Sequence, residues 1–447
     1  MAKITPISGF AEFLPAQQIV MNNVIDLVKS HYERFGFTSI ETPVVERTDT
    51  LLSKGSDNKE IYALRRLAAA EGEKDEKDLA LRFDLTVPTA RYVAQHFTNL
   101  TFPFKRYQIQ PVWRGERPQV GRYRQFTQAD IDVIGFEKLS LRFDAEMPAI
   151  IYGIFKELAV GNFTIRMNNR KILRGFLNSL GLEKLEDITE ATRIVDRMEK
   201  VSGDKTKTDL AALGLNESAI EQLLAFFNLS GQTQQLLDTL GTMNVNEEFE
   251  TGVAELGEVI RNMRLMGVGD DCFCIDPKIA RGLDYYTGTI YETVLDDHRD
   301  LGTVCAGGRY ENLAGQFTNK KLPGVGISIG LTRMVPELMK RGVLKEASRS
   351  TPADVLITAQ SSEFEDDYIA IGTQMRNAGL KVEVYLDRKK LDKQMKYANK
   401  KGFPFVVIAG ENEINAGKLL VRNLQNGAEK TLSTAEAITF IKQDMPS

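Results

Sequence analysis

A chain of 447 residues is too long for one ordinary core, so two or three domains are expected. With 43% hydrophobic residues and no apolar run of bilayer length, the composition excludes a disordered chain and a protein with membrane-spanning helices. A formal net charge of −4, with a pI of about 5.7, excludes a protein that coats nucleic acid indiscriminately.

In chain order, residues 16–36 carry apolar side chains at Ile19, Val20, Val24, Ile25, Val28 and Tyr32, which is helical spacing, and Gly36 is the expected stop. The stretch 37–45 reads as a strand interrupted at Pro43, which fits an edge or a bend. Residues 69–78 are polar and charged and read as a solvated loop, and 79–88 as a strand ending near Pro88. Two further strands, FKRYQIQPVWRGE and RQFTQADIDVIG, are joined by RPQVGRY, the pattern of an antiparallel pair around a mobile loop.

From 170 to 265 long Leu-rich stretches predict a helical insertion. Strand character returns in FCIDPKIARGLDYYTGTIYETVL, VCAGGRYENL and GVGISIGLTRM. Beyond the charged segment 340–349 and Pro352, strands alternate with helices, which predicts a small α/β domain with a mainly parallel sheet. Residues 376–401 hold nine Lys or Arg against three Asp or Glu, a basic end on an acidic body.

Three cysteines, no disulfide framework and an N-terminus without a long apolar stretch make a reducing cytoplasm the expected setting. Cys272 and Cys274 lack the spacing of a zinc pair, and all three cysteines read as small buried hydrophobes. No P-loop, GxGxxG, HExxH or CxxC pattern occurs, and no metal site is expected.

Five segments can carry chemistry. In VWRGERPQVGRYRQFTQADID, Phe126, Gln128, Asp130 and Asp132 share one face of a strand, and Arg114 and Glu116 share a face of its neighbour. Guanidinium groups suit polyphosphate or carboxylate, and Phe126 offers a surface for a base. Composition alone describes a solvated, salt-bridged hairpin equally well. ARGLDYYTGTIYE places Arg281 and Asp284 before Tyr285 and Tyr286, a flat wall with polar tips or ordinary strand tyrosines. AGGRY offers close backbone approach or a simple turn. GVGISIGLTRM leads into a helix with Arg333 in its first turn, and LRFDLTVP sets Asp84 and Thr86 two apart.

Together and in this order, the segments resemble the histidyl-tRNA synthetase family. The likeness runs from SGFAEFLP to the last α/β domain and is carried most specifically by RGLDYYTGTIYE and GRYRQFTQADIDVIG. FGFTSIETPVVE resembles the first motif of class II synthetases, a dimer-interface helix and strand containing Pro43. The lead-in departs from the family pattern: Glu12 stands where Asp is usual, and Phe10 and Ala11 where Thr and Arg are frequent.

The resemblance implies an α+β catalytic core, an antiparallel sheet flanked by helices, formed by 1–169 and 266–345. It also implies a helical insertion at 170–265 that would hold the tRNA acceptor arm, and an α/β anticodon-binding domain at 350–447. The implied substrates are L-histidine, ATP with its Mg2+, and tRNA(His). The implied assembly is a homodimer, with no membrane or DNA partner.

By the same resemblance, histidine would be held by Asp84, Leu85, Thr86, Gln128, Asp132, Tyr285 and Tyr286. Arg281 would touch the reacting carboxylate and α-phosphate, and Arg114 would also serve catalysis at the α-phosphate. ATP would meet Arg114, Glu116, Phe126 and Arg333. The principal alternative is a synthetase-like regulatory subunit of ATP phosphoribosyltransferase without ligase activity. Such proteins generally lack the RGLDYYTG segment and the last domain, both present here. A nucleic-acid-binding accessory module and another class II synthetase are the remaining readings.

Overall fold

A computed structural model describes residues 4–52, 60–67, 79–117, 121–198, 201–279, 286–312, 314–387 and 389–445. The loop expected at 69–78 lies outside them, as do Arg281, Asp284 and Tyr285. The chain divides into two compact units, 1–12 with 24–344 and 13–23 with 345–447.

The first unit is built on an eight-stranded sheet. Helix α1 (Pro15–Arg34) precedes it and stops where Gly36 takes φ +78°. Strands β1 (Thr38–Ser39) and β2 (Val45–Arg47) replace the single interrupted strand expected at 37–45. They enter different sheets, and β1 takes an edge, where a following proline removes no ladder bond.

After β3 (Leu79–Leu81) comes a correction. The stretch expected to continue as a strand to Pro88 turns at Asp84 and enters helix α3 (Thr86–Gln95), the third helix after α2 (Thr48–Leu52). The Asp84 carboxylate accepts the Val87 N–H at 3.1 Å, and Pro88 falls in the first turn, where a missing N–H costs nothing.

Strands β4 (Phe104–Trp113) and β5 (Gln125–Ile134) form the expected antiparallel pair, with Arg106 opposite Asp132 and Gln110 opposite Gln128. Helix α4 (Arg142–Glu157) and β6 (Phe163–Asn169) follow. Next come six helices, α5 (Arg170–Ser179), α6 (Leu185–Arg197), α7 (Gly203–Ala211), α8 (Glu217–Phe227), α9 (Thr233–Thr242) and α10 (Glu247–Leu265). Asn169, Ser202, Asn216 and Asn246 cap four of them by accepting backbone N–H groups. Phe176 stacks on Phe226 at 4.1 Å between centroids, and both meet Phe249.

Strands β7 (Phe273–Ile275), β8 (Thr289–Leu295), β9 (Thr303–Tyr310) and β10 (Gly324–Gly330) complete the sheet, and helix α11 (Leu331–Lys340) leaves it. The order is β1-β4-β5-β10-β9-β8-β6-β7, antiparallel except for the edge pairs β1·β4 and β6·β7. AGGRY is therefore strand, not turn. Its glycines are needed for close approach: a Cβ on Gly307 would lie 2.1 Å from the Gly326 carbonyl oxygen. On β5, Ala129, Ile131 and Val133 are fully buried on one face, and the alternate residues Gln128, Asp130 and Asp132 project from the other.

The second unit contains β11 (Val355–Ile357), α12 (Glu365–Asn377), β12 (Val382–Val384), α13 (Leu391–Lys401) and β13 (Phe405–Ile408). After these come α14 (Glu411–Asn415), β14 (Leu419–Asn423), β15 (Glu429–Leu432) and α15 (Thr434–Asp444). Its order is β12-β11-β13-β14-β15: the first three strands are parallel and the last two antiparallel. The β14–β15 hairpin was not expected. Glu429 and Lys430 of its edge strand are exposed and give no alternation to read. Val355, Ile357, Tyr368, Phe405, Val407 and Val421 form the core of this unit.

Candidate active site

The polar face of the large sheet carries a small cavity of about 20 Å³, lined by Thr86, Asp130, Asp132, Tyr286, Ala306, Tyr310, Gly326, Ile327 and Ser328. Strand register explains the gathering. Asp132 stands opposite Arg106 on β4 and Gly326 on β10, and Asp130 stands opposite Gln108 and Ser328. Gly326 is required, because a Cβ there would lie 2.0 Å from an Asp132 carboxylate oxygen.

Asp132 pairs with the fully buried Arg106 and accepts the Tyr310 hydroxyl at 3.0 Å. Burial pushes its carboxyl upward, and Arg106 opposes that shift. Asp130 has one oxygen, and Asp84 one, buried without a hydrogen-bond partner among the described residues. Burial raises Asp130 to about 7 and Asp84 to about 6. Gln128 donates its amide to the Ser328 hydroxyl at 2.8 Å, while its carbonyl oxygen is buried with no partner among the described residues. Three buried acceptor oxygens thus lack donors, beside an Arg106 guanidinium whose own N–H groups make no hydrogen bond among the described residues; the unpaired oxygens suit a small ligand with N–H groups.

A second, open cavity of about 970 Å³ is lined by Arg122, Arg166, Asp276, Lys278, Glu292 and Arg333 among others. Arg333, in the first turn of α11, donates to the Leu301 carbonyl, and its buried Nε–H has no partner among the described residues. Burial lowers its pKa, with the neighbouring Arg122 acting the same way. Arg122 pairs with Glu116 at 3.4 Å, and Arg124 donates to the Glu116 carbonyl at 3.2 Å. The segment after β4 thus folds toward Arg333, and Gly121 lies against its side chain. Cationic groups with spare donors beside an open cavity suit a polyphosphate.

The structure brings Thr86, Asp132 and Tyr286 to one cavity and links Gln128 to it through Ser328. Asp84 feels Arg114, Arg106 and Asp132. Leu85 is fully buried at the start of α3. Arg114 and Glu116 do not share a strand face, because β4 ends at Trp113. Arg114 donates to the Phe83 carbonyl at 3.1 Å and lies over Phe126 at 5.0 Å, whereas Glu116 meets Arg122. Phe126 thus has a cation on one ring face.

Arg106, Tyr310, Gly326 and Ser328 were not singled out from the sequence. For Arg106 the alternation Arg106, Gln108, Gln110 along the strand was the available signal, since polar residues at period two mark one face.

Residues 9–334 match the family model described as histidyl-tRNA synthetase, and 354–444 match the anticodon binding domain. The chain is 43% identical over 445 residues to a histidine–tRNA ligase from Clostridium tetani, with 99% of each covered. It is 44% identical to one from Nostoc sp., covering 98% of this chain and 97% of that one. The crystal structure of histidyl-tRNA synthetase from Nostoc sp. PCC 7120 superposes with a TM-score of 0.89 at 42% identity, covering 100% of both chains. A Bacillus halodurans ATP phosphoribosyltransferase regulatory subunit/histidyl-tRNA synthetase shares the fold, with a TM-score of 0.73 at 18% identity over 88% of this chain and 96% of that one.

Proposed function

Because the chain belongs to the histidyl-tRNA synthetase family and is a histidine–tRNA ligase, we propose how its residues divide that reaction. The histidine carboxylate attacks the α-phosphorus of ATP, which enters as its magnesium complex, and diphosphate leaves. A ribose hydroxyl at the tRNA terminus then attacks the resulting mixed anhydride, and AMP leaves. Neither step needs a covalent enzyme intermediate, so positioning and positive charge supply the catalysis.

Histidine occupies the acceptor-rich pocket, held by Asp84, the Leu85 backbone, Thr86, Gln128, Asp132 and Tyr286, with Tyr285 and Arg281 from the adjoining segment. The observation that carries this assignment is the pair of buried oxygens, one of Asp84 and one of Gln128, that have no hydrogen-bond partner among the described residues. They suit the ammonium and imidazole N–H groups. A ligand without those donors leaves the oxygens unpaired, which is a strong basis for rejection. ATP takes the open cavity, with Phe126 under the base, Arg114 at the α-phosphate, Arg333 at the far phosphates, and Glu116 in the segment that closes over them. Arg281 neutralises charge where carboxylate and α-phosphate meet.

Segments 1–169 and 266–345 form the catalytic core, 170–265 supports the acceptor arm, and 350–447 reads the anticodon of tRNA(His) with its basic surface. We place the protein in the cytoplasm as a homodimer. The exposed Val44, Val45 and Leu79 near Pro43 supply apolar surface for a second copy.

ATP–diphosphate exchange with each of the twenty amino acids tests the assignment. Exchange with histidine alone is expected. Exchange with another amino acid, or with none, would overturn it, and sedimentation tests the dimer separately.

A further inference from the structure

One group on the polar face has no task in the reaction as divided above. Asp130 is buried and lies between Gln108 of β4 and Ser328 of β10. The Ser328 hydroxyl accepts from the Gln128 amide nitrogen at 2.8 Å and hydrogen-bonds Asp130. A hydroxyl carries one proton. While it accepts from Gln128, its proton goes to the Asp130 carboxylate. The Gln128 amide is then held with its nitrogen toward Ser328, and its buried oxygen has no protein partner among the described residues.

We propose that Asp130 is a positioning residue for histidine, acting through Ser328 to set which end of the Gln128 amide faces the substrate. This rests on the assignment of Gln128 to the histidine pocket. The oxygen end accepts an N–H of histidine, whereas the NH2 end would meet it donor to donor.

The relay has a defined failure. A protonated Asp130 donates to Ser328, whose proton then turns to Gln128. The amide rotates to accept that proton and presents its NH2 to the pocket. The groups acting on Asp130 come from each neighbouring element: Arg106 and Gln108 on β4, Asp132 on its own strand, Ser328 on β10 and Cys305 on β9. Asp84 and Arg82 act from the segment before α3, and Tyr32 from α1. Burial raises Asp130 most, Asp132 and Asp84 add to the rise, and Arg106 opposes it, leaving the group near 7. The relay is therefore set correctly above neutrality and lost below it.

The test is the histidine kcat/KM in ATP–diphosphate exchange from about pH 6 to 8.5, since kcat/KM reports groups of the free enzyme. Wild type should show a fall on acidification near neutrality beyond the titration of histidine itself, which is common to all variants. Ser328→Ala should lower the histidine kcat/KM about tenfold at high pH, leave the KM for ATP within about twofold, and flatten the extra fall. Ser328→Thr should recover most of the loss. In a Gln128→Ala background, Ser328→Ala should add almost nothing.

Wild-type behaviour in Ser328→Ala beside an impaired Gln128→Ala would overturn the relay and leave the pocket assignment standing. An unimpaired Gln128→Ala would overturn both. Equal losses toward histidine and ATP in a Ser328→Ala protein with unchanged melting temperature would also overturn the relay.

Discussion

The two cavities of the large unit solve opposite problems with the same sheet. The small one is narrow, acidic and rich in buried acceptors. The large one is open, mixed in charge and edged by guanidinium groups that retain unused donors. A histidine must be told from other small molecules, and unpaired buried oxygens do that by penalising any ligand that cannot satisfy them. A triphosphate needs no such discrimination. It needs charge that can rearrange as diphosphate departs, and long arginine side chains on a loop and a helix start provide it.

Four experiments would sharpen or break this contrast. Arg281→Ala should have the largest effect, slowing histidine-dependent diphosphate exchange about 100- to 1,000-fold while leaving the fold intact. Normal exchange in that variant would remove Arg281 from the chemistry. Asp132→Asn comes next. It should raise the KM for histidine far more than that for ATP and cost about 3–5 kcal/mol of stability, because Arg106 keeps its buried charge and loses its counter-charge. Equal effects on both substrates, read by steady-state kinetics, would contradict the pocket assignment. Arg333→Ala should show the mirror image, about a tenfold rise in the KM for ATP with little change for histidine. A histidine-selective defect would break the division.

The smallest effect concerns pH. Asp130 is raised from its ordinary value to about 7, so its neutral form fits the empty pocket. Its contribution to stability is complete below about pH 4 and is lost as pH rises through about 7. Asp130→Asn avoids that loss. The variant should therefore gain on wild type as pH rises from about 4 to 7, by an amount on the order of a few kcal/mol, and the gap should be constant above. Chemical denaturation at several pH values measures it, and a gap that closes as pH rises would show that the charged form is accommodated.

Much of this was legible before any coordinates. Phe126, Gln128, Asp130 and Asp132 share a face because a strand alternates, and Arg333 was placed in the first turn of its helix by the glycine-bearing strand before it. The start of α3 was not legible, since LRFDLTVP reads as strand until the Asp84 carboxylate is seen capping the helix. Nor was the parting of Arg114 from Glu116, which follows from the strand ending three residues earlier than the alternation suggested. The β14–β15 hairpin escaped because its edge strand is exposed and polar.

Local rules of periodicity, capping and strand alternation are written into the chain itself, so the sequence determined which elements form and which residues share a face. Only the tertiary structure decided that Arg106 would lie under Asp132, that Gly326 would leave room for the carboxylate, and that Ser328 would stand between Gln128 and Asp130. Those relations depend on the register of strands far apart in sequence. Register is set by the packing of a whole sheet, which no local window contains.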